Sequence, residues 1–221
     1  MPLLDFLFPT YSLLEREGEW ITSSELSQLV SHPRLFEAAE LHMLGMASLD
    51  RVLAVSTYSE APLLRKAIHA FKYRRIPAVG EKLKEVFKTS FLTYMSACAN
   101  ACICPVPLHF TRKFWRGFNQ AEILAGALAD ATGLPLTHLL MRIRPTGHQA
   151  RRPRGERLTA MKGAFRVRAR ARAGVGTGMN WPFCVYLVDD LFTTGATMEE
   201  CARVLKEAGV MRVEGVVLAH G

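Results

Sequence analysis

Apolar positions fall into short blocks separated by polar turns, and the blocks follow two periods. Residues 52–58 (VLAVSTY), 101–105 (ACICP), 185–188 (VYLV) and 212–218 (RVEGVVL) are short, apolar and partly β-branched, which predicts buried strands. A further short strand is expected within residues 134–140. Residues 165–171 alternate Arg166, Val167, Arg168, Ala169 and Arg170, which predicts a strand with one arginine face. Helical spacing recurs at residues 63–71, opened by Pro62, and at 79–89. Residues 119–131 and 196–208 repeat it, closed by Gly133 and Gly209. Earlier in the chain, Ser23 or Ser24 is placed to cap a helix over ELSQLV, which Pro33 interrupts. Residues 35–49 (LFEAAELHMLGMASL) read as a second amphipathic helix. Strands alternating with helices predict an α/β domain with a mostly parallel sheet and right-handed crossovers over residues 51–221. Residues 1–50 are expected to be a small helical appendage.

One block differs from the rest. The apolar run at 185–188 passes directly into Asp189 and Asp190, then Leu191-Phe192, then Thr193-Thr194-Gly195-Ala196-Thr197, where a helical pattern begins. Open parallel sheets bind ligands outside the carboxyl ends of their strands. A Thr- and Gly-rich turn leading into a helix offers backbone N–H groups, hydroxyls and a helix N-terminus to one point, which suits a phosphate. Paired carboxylates beside it can accept hydrogen bonds from sugar hydroxyls or hold Mg²⁺ through water.

Charge adds a second feature. The chain of 221 residues carries a net +8, and the excess is local. Eleven basic residues between Met141 and Arg172 face only Glu156, so this segment is +10 and the remainder −2. A local cationic patch implies a polyanionic or phosphorylated partner. Apolar content of 49% marks a globular chain. No apolar run reaches the roughly 18 residues of a membrane span. The N-terminus lacks a basic region ahead of its apolar residues, so a soluble cytoplasmic protein without a membrane span is expected. Cys98, Cys102, Cys104, Cys184 and Cys201 form no regular framework, and free thiols are the expected state.

The stretch at 185–197 resembles the phosphoribosyl-pyrophosphate (PRPP) motif of type I phosphoribosyltransferases: an apolar strand, an acidic pair, two variable residues and T-[ST]-G-x-[ST]. Three further strings extend the likeness from about Val52 to the C-terminus. They are Phe71-Lys72-Tyr73-Arg74; Pro105-Val106-Pro107-Leu108-His109 with Arg112 and Arg116-Gly117-Phe118-Asn119-Gln120-Ala121-Glu122; and Gln149 with Glu156-Arg157 and Gly163-Ala164-Phe165. In this order they resemble the ComF family of phosphoribosyltransferase-like, competence-associated proteins. Members commonly begin with a zinc ribbon after an L-F-P stretch. Leu7-Phe8-Pro9 is present here, but no C-x-x-C follows, so no zinc is expected.

The resemblance implies PRPP, or a nucleotide 5-phosphate, bound with Mg²⁺. Thr193, Thr194, Gly195, Ala196 and Thr197 would hold the phosphate, and Asp189 and Asp190 the ribose hydroxyls or the metal through water. No cage of protein ligands for a metal is implied. Pro107, Leu108, Arg112, Lys113 and Arg116 would face the pyrophosphate, where the planar guanidinium suits two phosphate oxygens. Asp189, Asp190 and Arg157 are the catalytic candidates, Arg157 from a lid over residues 144–157. Arg151, Arg152, Arg154, Arg166, Arg168 and Arg170 are nucleic-acid candidates, with single-stranded DNA and competence-machinery proteins as implied partners. The role implied is in natural competence and DNA uptake. The alternative is an active phosphoribosyltransferase acting on a nitrogenous acceptor in nucleotide metabolism or salvage.

Several residues carry two open readings. Lys72, Tyr73 and Arg74 are either a charged helix end or part of the site. Trp115 and Phe118 are either core or base-stacking residues. Asn119 and Gln120 are either caps or site residues. The arginine face at 166–170 is either a solvated edge or a nucleic-acid contact.

Overall fold

The computed structural model describes residues 33–74, 77–95, 98, 100–109, 117–145, 160–169 and 181–221, together with 21, 22, 25 and 29. Its centre is a five-stranded sheet. In chain order the strands are β1 (Arg34–Glu37), β2 (Arg51–Thr57), β3 (Ala101–Pro105), β6 (Cys184–Phe192) and β7 (Arg212–His220). Their spatial order is β1-β2-β7-β6-β3. All pairings are parallel except β1 with β2. A separate antiparallel pair joins β4 (Leu140–Arg142) to β5 (Phe165–Val167).

Helices cover both faces, and the period-two direction of strand side chains sets which residues meet them. Tyr186, Val188, Val216 and Leu218 pack on one face with Leu64, Ile68, Leu83, Phe87, Phe91, Leu124 and Leu128. Those helical residues come from α2 (Pro62–His69), α3 (Pro77–Tyr94) and α4 (Gln120–Thr132). Val185, Leu187, Val213 and Val217 pack on the other face with Met198, Cys201, Ala202 and Leu205 of α5 (Ala196–Glu207), and with Phe165 and Val167 of β5. Burial on both sides explains why the central strands read as continuous apolar runs. The architecture is therefore α/β with a mostly parallel sheet flanked by helices, as expected.

Most elements lie within a few residues of their sequence reading. The residue 101–105 strand coincides with β3, and α4 ends at Gly133, which adopts φ 70°. α3 is longer than expected because its helical residues continue to Tyr94. The expected strand within 134–140 is displaced: Leu136 makes one isolated bridge to Ile103, and the regular strand begins at Leu140.

The expected helix over 35–49 is corrected. Residues 34–37 form β1 at the sheet edge, and only Ala38–Met43 (α1) is helical. Edge pairing with β2 satisfies the β1 backbone and brings Phe36 against Phe192 and His220, with ring centroids 5.6 and 5.2 Å away. Gly45, at φ 81°, then lies beyond the helix end, and Met46 and Leu49 pack into the core. The 165–171 strand is also shorter than expected. Pairing stops at Val167, and Ala169 already lies in a helical turn. Among the described residues no helix is long and apolar enough to cross a membrane.

Candidate functional site

β6 carries its acidic pair close to its carboxyl end, and the residues after it turn into α5. Asp189 and Asp190 are consecutive strand residues, so their side chains leave opposite faces of the sheet. The Asp190 N–H donates to Asp189 Oδ1 at 2.8 Å. Burial, and then the neighbouring Asp190 carboxylate, push the Asp189 carboxyl up to about 7. The Asp190 N–H, Lys72 and Arg142 oppose that rise.

Thr193, Thr194 and Gly195 make the turn between β6 and α5, and Ala196 and Thr197 open the helix. With residues 191, 192 and 198 they line a hollow of about 30 Å³. Gly195 is the N-cap at φ 77°, and it makes no side-chain cap. A Cβ at Gly195 would lie 2.2 Å from Met46 Sδ and 3.0 Å from the Phe192 ring, so conformation and space both require glycine. An α5 start without a capping side chain leaves its backbone donors directed into the turn.

Two carboxylates near the start of α5 hold neighbouring segments. Glu199 Oε1 accepts from the Ala47 and Ser48 N–H groups, both at 2.9 Å. Glu200 is buried, accepts from the Gly163 N–H at 2.5 Å and is paired with Arg203. Hydrogen bonds from these donors hold the Glu200 carboxyl below its ordinary range against the effect of burial. Residues 44–49 and the Gly163-Ala164-Phe165 string are thereby fixed to the same helix that begins at the candidate phosphate turn.

β3 brings the Pro-Val-Pro-Leu-His string alongside. Pro105 is opposite Val188, and the Val106 N–H donates to Val188 O at 2.9 Å. Pro107 and Leu108 therefore leave the sheet next to the acidic pair. Asn119 settles one open reading. Its Oδ1 accepts from the Ala121 N–H as the α4 cap, while its Nδ2 donates to Val106 O at 3.0 Å. It caps the helix and ties it to the loop. Phe118 packs on Phe71, ring centroids 5.7 Å apart, as part of the core edge. Arg112, Lys113, Arg116 and Trp115 lie outside the described residues, as do Arg151, Arg152, Arg154, Arg157 and Arg170.

Two basic residues meet the acidic pair. Lys72, carried on the π turn Ala70–Arg74, places Nζ 2.5 Å from Asp190 Oδ2. Sequence reading leaves Lys72 open between a helix end and the site; its ion pair places it beside the acidic pair. Arg142 of β4 approaches from the other face, close enough to act on Asp189, and its guanidinium lies 5.3 Å from the Phe165 ring centroid. Sequence patterning counted Arg142 only as part of the basic segment, and no local signal separates it from its neighbours. Arg144, Lys162, Arg166 and Arg168 surround β4 and β5 and are exposed.

A parallel sheet with an acidic pair and a glycine turn at its carboxyl edge defines an α/β protein of the phosphoribosyltransferase-like class. Its curated relatives are competence and DNA utilization proteins, which supports membership of the ComF family. It is 30% identical over 154 residues to competence protein ComFC of Bacillus subtilis, covering 70% of this chain and 58% of that protein. It is 32% identical over 114 residues to competence protein F of Haemophilus influenzae, covering 51% and 47%. It is 28% identical over 169 residues to the DNA utilization protein YhgH of Salmonella typhi, covering 75% and 70%. The chain thus spans about half the length of the first two relatives. No family model matches it.

Proposed function

We infer that this protein binds PRPP or a nucleotide 5-phosphate together with Mg²⁺ and acts in natural competence and DNA uptake. The observation that carries the binding reading is the continuous unit from Asp189 to Thr197, with Gly195 at φ 77° opening an uncapped helix beside two carboxylates. The phosphate would take the turn's N–H and hydroxyl donors. Asp189 and Asp190 would receive the ribose hydroxyls. Their hard oxygen donors also fit Mg²⁺, which keeps several waters and is commonly held by one or two carboxylates plus phosphates. Bound there, Mg²⁺ would neutralise charge on a pyrophosphate group. Pro107 and Leu108 would shape the adjoining wall.

The competence role rests on the relatives named above, two called competence proteins and one a DNA utilization protein. A surface feature supports it independently. Arg144, Lys162, Arg166 and Arg168 present exposed cations around β4–β5. Backbone phosphates of single-stranded DNA suit such a patch. Neutralising about four phosphates gives a log–log salt slope of about −3 for single strands. Fluorescence anisotropy with an oligonucleotide from low to moderate salt measures it, and an affinity independent of salt contradicts this contact. For the phosphate site, thermal shift with PRPP and with nucleoside monophosphates, each with and without Mg²⁺, gives the test. Stabilisation that needs both phosphate ligand and metal is expected; no shift with any of them contradicts the binding reading.

A further inference from the structure

The ion pair between Lys72 and Asp190 has a consequence for how the site is loaded, given the binding reading above. Its two side chains are 13% and 12% exposed, so the ammonium and carboxylate are largely withdrawn from water. Lys72 is not free to wander there. The preceding residue, Phe71, is buried, packs on Phe118, and lies so close to Gly80 that a Cβ at Gly80 would touch its ring at 3.0 Å. The π turn is thereby pinned from the core and delivers the ammonium to β6. Asp189 is meanwhile occupied by the Asp190 N–H and faces Arg142.

We propose that Lys72 is a displaceable internal counter-ion at Asp190, which weakens capture of a free divalent cation and couples cation binding to arrival of a polyphosphate ligand. With both carboxylates ionised, Lys72 and Arg142 balance them, which leaves little net charge to attract a free divalent cation. A divalent cation at Asp190 must displace the ammonium, which alone would leave a cation without its partner in a semi-buried place. A phosphate-rich ligand arriving with the metal gives that ammonium a new anionic partner. Each ligand then raises the affinity for the other by the same factor. Lys72 acts here through Asp190 and does not itself hold the metal.

The experiment uses Mn²⁺ as the probe on the full chain, with free Mn²⁺ read by electron paramagnetic resonance. In the absence of any phosphate, Lys72→Met is expected to bind Mn²⁺ about ten-fold more tightly than wild type, since a competing cation has gone. Lys72→Arg keeps the charge and should stay near wild type. Adding Asp190→Asn to Lys72→Met should erase the gain. Lys72→Gln serves if the methionine variant does not fold. Equal or weaker Mn²⁺ affinity in Lys72→Met or Lys72→Gln overturns the proposal. So does a gain that survives Asp190→Asn. The Mn²⁺ comparison needs no PRPP, so a wild-type protein that ignores PRPP sinks the functional reading without deciding this one. Conversely, PRPP binding alongside unchanged Mn²⁺ affinity sinks only the counter-ion.

Discussion

At Asp189, burial and a neighbouring carboxylate act in the same direction. Its folded-state pKa is raised to about 7 from an ordinary 3.8. Between those values the folded protein holds a proton that the unfolded chain has released. This group's contribution to stability therefore falls as pH rises from about 4 to about 7, at up to about 1.4 kcal/mol per pH unit, and is flat above. Asp189→Asn removes the titration. The difference in unfolding free energy between wild type and variant should change over that window, in favour of the variant at the upper end. Urea melts at several pH values check it, and a pH-independent difference contradicts the account. The acidic pair itself could be read from one local string, because an apolar strand ending in two aspartates has little else to do. Its cationic neighbours could not. Lys72 and Arg142 come from distant elements, and only the packing of the π turn and of β4 on β6 brings them near.

Helix α5 joins three parts of the molecule. Its N-terminus forms the candidate phosphate turn, Glu199 holds residues 47 and 48, and Glu200 holds Gly163. Met46 fills the space beside Gly195. The segment preceding β2 thus braces the turn. Glu199→Ala removes the acceptor for two N–H groups and should cost about 1–3 kcal/mol, in line with charge-assisted bonds. Hydrogen exchange at Ala47 and Ser48 should accelerate more than exchange in the central strands. Uniform acceleration throughout would assign Glu199 a merely global role. The helix was visible in sequence from its spacing and its closing glycine. The bracing was not, since backbone donors at 47 and 48 leave no mark in residue type. β1 was misread for a related reason: Leu35 and Phe36 satisfy a helical spacing, and only the available edge of β2 decides for a strand.

Across the molecule, the parallel order of β2, β7, β6 and β3 collects the carboxyl ends of four strands at one edge. Strand–helix alternation predicted this architecture, because buried parallel strands need crossover helices and read as apolar runs. The register that places Pro105 opposite Val188 emerged only in three dimensions, and it unites the Pro-Val-Pro-Leu-His loop with the acidic pair. The basic residues around β4–β5 stand apart from the apolar core as a candidate surface for a polyanion.

The central claim is that this edge holds a ribose phosphate with Mg²⁺. Isothermal titration of PRPP into the wild-type protein with Mg²⁺ tests it most directly, beside a variant carrying Asp189→Asn and Asp190→Asn. Saturable binding by wild type, weakened at least about ten-fold in the variant, is the predicted result, since two ligand-facing carboxylates are lost. No binding by wild type, or equal affinity in both proteins, would contradict it.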